Sequence, residues 1–162
     1  MRRQPQEVLS IQRASMSDVI AMHNLQMRAF EEEGRRCGTR EIQPLQETTD
    51  SIAEHVNSHI ALVAKENGVL IGCVRGVHDD RVWTIRALVV EPSKHGQGIG
   101  SALLQAIESE IGSEARIELT TNTIMNGNVA FYERHGYHIV KRSVPIAGVE
   151  LAHLVKLTAR DV

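Results

Sequence analysis

The spacing of apolar residues changes several times along the chain, and each change marks an element. Residues 9–13 (Leu-Ser-Ile-Gln-Arg) alternate apolar and polar, as a short strand does. Ser15, with Asp18 three residues later, offers a helix N-cap. Val19, Ile20, His23, Met27 and Phe30 then fall on one helical stripe, and Gly34 reads as its stop. Residues 35–46 contain Gly38 and Pro44 and read as a loop. Residues 49–58 predict a second helix with Ile52 and Val56 inward. Residues 60–64 (Ile-Ala-Leu-Val-Ala) have the continuous apolar character of a buried strand. Glu66-Asn67-Gly68 predicts a hairpin turn, because Asn-Gly adopts positive φ at little cost. A second strand at 69–77, a turn at 78–80 and a third strand at 82–90 complete an antiparallel meander.

After Pro92, which cannot donate to a strand ladder, the rhythm shifts. A glycine-rich loop leads into a helix at 99–111 with Ile99, Leu103, Leu104, Ile107 and Ile111 on its apolar face. A strand at 116–121, a helix at 128–135 and strands at 137–142 and 148–157 follow. The order β-α-α-β-β-β-α-β-α-β-β predicts one α+β domain over residues 1–162, with a mixed sheet in which the crossover helix returns the chain parallel. No linker, repeat or low-complexity segment interrupts it, and residues 1–8 read as a loose tail.

Composition narrows the function. The 162 residues carry 18 Lys+Arg against 20 Asp+Glu, a net charge of -2, which argues against binding by phosphate neutralisation. Aromatics are only 3% of the chain, which argues against a base-stacking platform. The 42% hydrophobic content excludes a disordered chain and points to an aliphatic core. Nucleic acid and membrane are therefore not expected partners: no apolar run reaches membrane-spanning length, and no secretory signal is evident. Two cysteines, Cys37 and Cys73, have no metal or redox spacing and fit a reducing compartment. A cytoplasmic location is expected. Of the eight histidines, His55 and His59 could share a helix face, but they lack the glutamate of a zinc-binding HExxH motif, and no metal is expected.

The chemistry concentrates at Lys94-His95-Gly96-Gln97-Gly98-Ile99-Gly100-Ser101, between a strand and a helix. Three glycines at alternate positions let the backbone approach a ligand closely. The helix that follows presents unpaired N–H groups and the positive end of its dipole, so the loop suits a phosphate. It is not a Walker loop. A Rossmann dinucleotide site is the competitor, with Glu118 about twenty residues on, where a ribose-binding acid would stand. Residues 92–95, which separate the strand from the first glycine, and the antiparallel meander before the loop both count against it.

Leu88-Val89-Val90-Glu91-Pro92 and His95-Gly96-Gln97-Gly98-Ile99-Gly100-Ser101-Ala102-Leu103-Leu104 together resemble the acetyl-CoA motif of the GNAT acetyltransferase superfamily. In that motif Arg or Gln precedes two residues, a Gly, any residue, and Gly or Ala. Gly98 and Gly100 fill the glycine positions, and His95 stands where Arg or Gln is usual. Downstream, Asn128-Val129-Ala130-Phe131-Tyr132-Glu133-Arg134-His135-Gly136-Tyr137 is similar to the family's second signature, in the right order and with a strand between. The resemblance implies an α/β/α sandwich with a mixed, mainly antiparallel sheet of six to seven strands and about four helices. It implies acetyl-CoA as cosubstrate, and a homodimer as a frequent assembly. It also implies that backbone groups of Leu88, Val89 and Val90 bind the pantetheine arm. Residues His95, Gly96, Gln97, Gly98, Ile99, Gly100 and Ser101 would cradle the pyrophosphate, Asn128 would bond the pantetheine, and Tyr132 would lie by the thioester sulfur.

Acetyl transfer to an amine needs a neutral amine, close approach, oxyanion donors and a proton for the departing thiolate. The backbone N–H of Leu88 or Val89 could serve the oxyanion, and Tyr132 the thiolate. On helical spacing, Phe131 and Tyr132 point about 100° apart, so one can face the core and the other the site. The base is less evident. The strand before the loop has no carboxylate until Glu91, and Glu118 on the next strand could act through water. Glu31, Glu32 and Glu33 sit where the first helix is read to end, an unfavourable place for negative charge. Glu32 and Glu33 are therefore candidates to attract a cationic amine, with a solvated face balanced by Arg35 and Arg36 as the plainer alternative. The expected activity is N-acetylation of a small or amino-acid-like primary amine; a non-catalytic acyl-CoA sensor is the competing class.

Overall fold

The computed structural model describes residues 8–159. Its strands are β1 (Leu9–Arg13), β2 (Ile60–Glu66), β3 (Val69–Asp79), β4 (Val82–Val90), β5 (Arg116–Asn122), β6 (His138–Ile146) and β7 (Val149–Leu157). Its helices are α1 (Val19–Cys37), α2 (Gln43–Gln46), α3 (Thr49–Ser58), α4 (Ile99–Ile111) and α5 (Asn128–Arg134). The strands form one mixed, mostly antiparallel sheet in the order β1-β2-β3-β4-β5-β7-β6, with β4 and β5 parallel on either side of the α4 crossover. The greater part of the expected tail, residues 1–7, lies outside the described residues. Its last residue, Val8, is tied to the β2–β3 turn, exchanging hydrogen bonds with the Asn67 side chain (3.4 Å) and backbone amide (3.3 Å).

The sheet is covered on both faces. The apolar stripe of α4 (Ile99, Leu103, Leu104, Ile107) packs on Leu62, Val74, Ile85, Ile117 and Leu119. On the other face, Met22 and Leu25 of α1 and Ile52 of α3 meet Ala61, Val63, Cys73 and Val89. Each fully buried aliphatic side chain contributes roughly 1.5–3 kcal/mol, so the core rests on aliphatic packing, as the scarcity of aromatics requires.

Two departures from the periodicity shape the functional region. Gly34 does not end α1; the helix runs one turn further, to Cys37, and closes at Gly38 in the left-handed conformation (φ 72°). Gly34 is retained for close approach: a Cβ there would stand 2.8 Å from Leu45 Cδ1 and 3.0 Å from the Thr39 carbonyl oxygen. Ile42 and Leu45, around the single turn of α2, fold over this bare patch, so 35–46 is not simply a loop.

The second departure is in β4. Arg86 lies opposite Arg75, but Val89 lies opposite Cys73, so two steps along β3 correspond to three along β4. The extra residue is a β-bulge with Ala87 at φ 51°. Bulges bend a strand and sharpen its twist. Beyond Val82–Arg116, Trp83–Ile117 and Thr84–Glu118, β4 and β5 are no longer paired, whereas β5 stays paired with β7 through Asn122. A wedge opens between two neighbouring strands of one sheet.

Candidate active site

The wedge leads into a cavity of about 900 Å³. One wall is the second half of β4, from Thr84 to Val90, whose β3 side is hydrogen-bonded and whose β5 side is open. A free strand edge offers N–H and C=O groups at regular spacing to any extended polar chain laid beside it. Leu88, Val89 and Val90 all line this wall.

At the end of β4 a short 3-10 turn over Pro92–Lys94 delivers the glycine loop to the start of α4. Gly96 and Gly98 both have φ 80°, and no atom comes within 4 Å of where their Cβ would be. The loop thus presents an open, left-handed backbone that non-glycine residues rarely adopt, immediately before a thirteen-residue helix. His95, Gly96, Gly98, Ile99, Gly100 and Ser101 line the cavity; the Gln97 side chain is exposed and does not. The His95 ring replaces a longer side chain by turning back on the strand, its Nε2 lying 3.1 Å from the Val90 carbonyl. Lys94 is paired with Glu66 at 2.6 Å.

The opposite wall comes from β5 and α5. Asn128, Phe131 and Tyr132 line the cavity, and Tyr137 is buried in the core. The three aromatic rings form an edge-to-face chain, with centroids 5.1 Å apart for Phe131–Tyr132 and 5.9 Å for Tyr132–Tyr137. The helical 100° separation does not send one of the pair to the core alone: Phe131 also lines the cavity, its Cζ 3.7 Å from where a Cβ on Gly100 would stand. Burial raises the Tyr132 phenol above its ordinary range, and the nearby Glu33 carboxylate raises it further. It is a neutral proton donor at any physiological pH.

The third wall is α1 and the α2 turn. Of the acidic run, only Glu33 faces inward; it is 7% exposed and lines the cavity. Burial pushes its carboxyl up to about 7, against an opposing hydrogen bond from Asn122. Glu32, one residue away and so rotated about 100°, lies at the surface. Hydrogen bonds from Arg35 and Arg36 hold its carboxyl at about 2. Glu31 pairs with Arg40 at 2.7 Å. Because α1 continues to Cys37, this run lies inside the helix and not at its end, and the dipole reason for suspecting all three does not apply.

Glu118 is also set apart from the cavity. It sits at the last paired step before the wedge opens, opposite Thr84, and its carboxylate takes a 2.7 Å bond from Arg116. The ladder that closes there keeps it out of the space between the strands. Of the carboxylates offered by the sequence, Glu118 thus lies outside the cavity and Glu33 lines it. The signal that could have singled out Glu33 is the stripe itself: Phe30 and Glu33 are three apart, on one helical face.

Beneath the α1 wall lies a buried polar cluster that sequence reasoning did not find. Arg75, 1% exposed, donates to Glu47 Oε1 (2.5 Å) and Oε2 (2.9 Å), to Gln26 Oε1 (2.9 Å) and to His55 Nδ1 (2.8 Å). Burial alone would raise the Glu47 carboxyl; the bonds from Arg75 and Gln26 outweigh it and hold it at about 2. Burial and the adjacent Arg75 lower His55, so the ring is neutral and accepts. Among the described residues no three His, Cys, Asp or Glu side chains gather in a way that could hold a metal ion. No helix among them is long and apolar enough to cross a membrane.

A sheet wedged open beside a glycine loop and a helix N-terminus, with a tyrosine across the gap, has the strand edge and the backbone donors to hold a long phosphorylated ligand. The sequence model of the GNAT acetyltransferase family matches residues 19–137, most of the chain, and the protein belongs to that family. It is therefore an acetyltransferase. The fold agrees with solved structures. The ribosomal-protein-S18-alanine N-acetyltransferase from Escherichia coli superposes with a TM-score of 0.77 at 15% identity, covering 96% of this chain and 97% of that one. The PaiA N-acetyltransferase from Thermoplasma acidophilum, in complex with coenzyme A, gives 0.74 at 14% identity, covering 90% and 98%. YncA from Salmonella typhimurium, with its cofactor acetyl-CoA, gives 0.72 at 15% identity, covering 96% of both chains.

Proposed function

We propose that the protein acetylates the primary amine of a small-molecule or amino-acid-like acceptor by direct attack in a ternary complex. The observation that carries this reading is the meeting of the glycine loop, Tyr132 and the buried Glu33 in one cavity. The pyrophosphate of acetyl-CoA sits against the backbone N–H groups of Gly96, Gly98 and Gly100 and the start of α4. The pantetheine arm extends along the open edge of Leu88, Val89 and Val90, bonded also by Asn128. That course leads the thioester toward Tyr132.

Glu33 receives the cationic amine and takes one of its protons; a carboxyl near 7 is matched to that task at neutral pH. The amine nitrogen then attacks the thioester carbonyl carbon. An N–H on the open edge at Leu88 or Val89 donates to the oxyanion. As the tetrahedral centre collapses, the carbon–sulfur bond breaks, its electron pair leaves with sulfur, and the Tyr132 hydroxyl gives sulfur a proton. The amide nitrogen releases its extra proton through water to the Tyr132 phenolate, and the neutral Glu33 returns its proton to solvent.

Thermal-shift titration should show stabilisation by acetyl-CoA and coenzyme A and none by NAD. Thiol release should be acceptor-dependent, and Tyr132→Phe should lower kcat by about 10²-fold while acetyl-CoA affinity is nearly retained. Binding of acetyl-CoA without thiol release from any amine would identify a sensor instead, and an undiminished kcat in Tyr132→Phe would remove the tyrosine from the mechanism.

A further inference from the structure

Three cations line the cavity: Arg75, Lys94 and Arg86. Arg75 is neutralised by Glu47, and Lys94 by Glu66. Arg86 is different. It is half-buried, and among the described residues it makes no ion pair and no hydrogen bond; its charge contributes to lowering the pKa of His55. It stands directly opposite Arg75 in the β3–β4 ladder, on the sheet face that α1 and α3 cover. Two guanidiniums opposite one another repel, and Glu47 answers only the first. A charge held partly out of water without a partner is costly, and the missing partner is an anion.

The position of Arg86 says which molecule brings that anion. It precedes the Ala87 bulge, whereas the glycine loop follows Val90, so the bulge and the pantetheine edge separate Arg86 from the phosphate-binding end. On the sheet face that Arg86 shares, α1 brings Phe30 and Glu33 to the cavity, and Glu41, just before α2, lines it as well. The acceptor end of the cavity therefore carries carboxylates on the helix wall and one unanswered guanidinium on the strand wall. A planar guanidinium fork matches a carboxylate with two parallel bonds.

We propose that the acceptor is an amino carboxylate, its amine directed to Glu33 and its carboxylate held by Arg86. This rests on the amine-acetylation reading above and adds the second charged group of the substrate. Neutral amines, polyamines and amines without an acid group would then be poor acceptors.

The test is thiol-release kinetics on matched sets: free amino acids with the amine at different distances from the acid, their carboxamides, and the corresponding decarboxylated amines. Wild-type kcat/KM should favour the acid over its amide by about tenfold to a hundredfold, the range of a charge-assisted hydrogen-bonded pair. Arg86→Gln should bring that ratio close to one through KM for the acid, and Arg86→Lys should restore part of it. The acetyl-CoA dissociation constant of Arg86→Gln should match wild type. The proposal is overturned if no free amino acid is acetylated, if amides or simple amines are preferred, if Arg86→Gln weakens every acceptor equally, or if it weakens acetyl-CoA instead. Transfer to amines lacking a carboxylate would sink this inference and leave amine acetylation standing. Absence of transfer to any amine would sink both.

Discussion

Burying a carboxyl as Glu33 is buried costs stability at neutral pH. Its pKa of about 7, against an ordinary value of 4.5, means that the folded state holds a proton the unfolded state has already released. Stability contributed by the neutral acid is therefore lost as pH rises from about 4.5 to about 7, and above that range the burial penalty is complete. Glu33→Gln removes the charge and keeps the shape. Its Tm should exceed that of wild type at pH 8 and equal it near pH 4. The same variant should lose the acid limb of kcat/KM near pH 7 and fall by about 10²-fold on the plateau. An unchanged pH profile would take Glu33 out of the reaction. At this scale the sequence disclosed residue types better than directions. The glycines, Tyr132 and Asn128 occupy motif positions, and the structure brings them to one cavity. Glu118 reads as the candidate base and Glu32 and Glu33 as candidates to attract the amine, but which carboxylate turns inward depends on where α1 ends and where β4 leaves β5, and both are tertiary facts.

Elements with long periodic stretches were legible: α3, α4, β1 and β4 have the limits that their apolar spacing implies. The misread segments are those where packing overrides a local rule. Gly34 costs about 1 kcal/mol in a helix interior, yet α1 passes through it because Leu45 needs the space a Cβ would fill. The bulge at Ala87 has no Gly or Pro to announce it, and a one-turn helix such as α2 is too short to show a period. Besides apolar packing, the connection from α2 to α3 is tied to β3 by the buried ion pair of Arg75 and Glu47, joined by Gln26 of α1 and by Ser51 and His55 of α3. Removing one partner of such a pair strands the other charge. Glu47→Gln should lower unfolding stability by about 3–5 kcal/mol, read from urea denaturation. Because Glu47 is held at about 2, its contribution is present above pH 4.5 and declines only as pH falls toward 2, so the difference between variant and wild type should persist at pH 5. A loss below 1 kcal/mol would mean that these helices are held by apolar contacts alone.

The molecule as a whole is a sheet in two parts with a seam between them. Strands β1 to β4 carry α1, α2 and α3; strands β5, β7 and β6 carry α5. Three residue pairs of β4 and β5, the packing of α4, and the cluster of Ile42 and Leu45 with Val149 join the parts, and past Thr84 no ladder crosses. Such a seam gives the cavity its depth and also makes it the place where ladder hydrogen bonds are fewest. Acetyl-CoA bound in the manner proposed would touch both parts, the β4 edge and glycine loop on one side and Asn128 and Tyr132 on the other. It would therefore replace the missing ladder. At a concentration of 100 times the dissociation constant, a ligand that binds only the folded state adds about 2.7 kcal/mol of stability. Hydrogen exchange distributes that gain along the chain. With acetyl-CoA, amides at 86–90, 96–102 and 128–132 should slow together, on both sides of the seam, while those at the exposed β6 edge should keep their exchange rates. Slowing confined to 96–102 would mean that the cosubstrate is held by its phosphates alone, and a thioester positioned that way could not be presented to Tyr132.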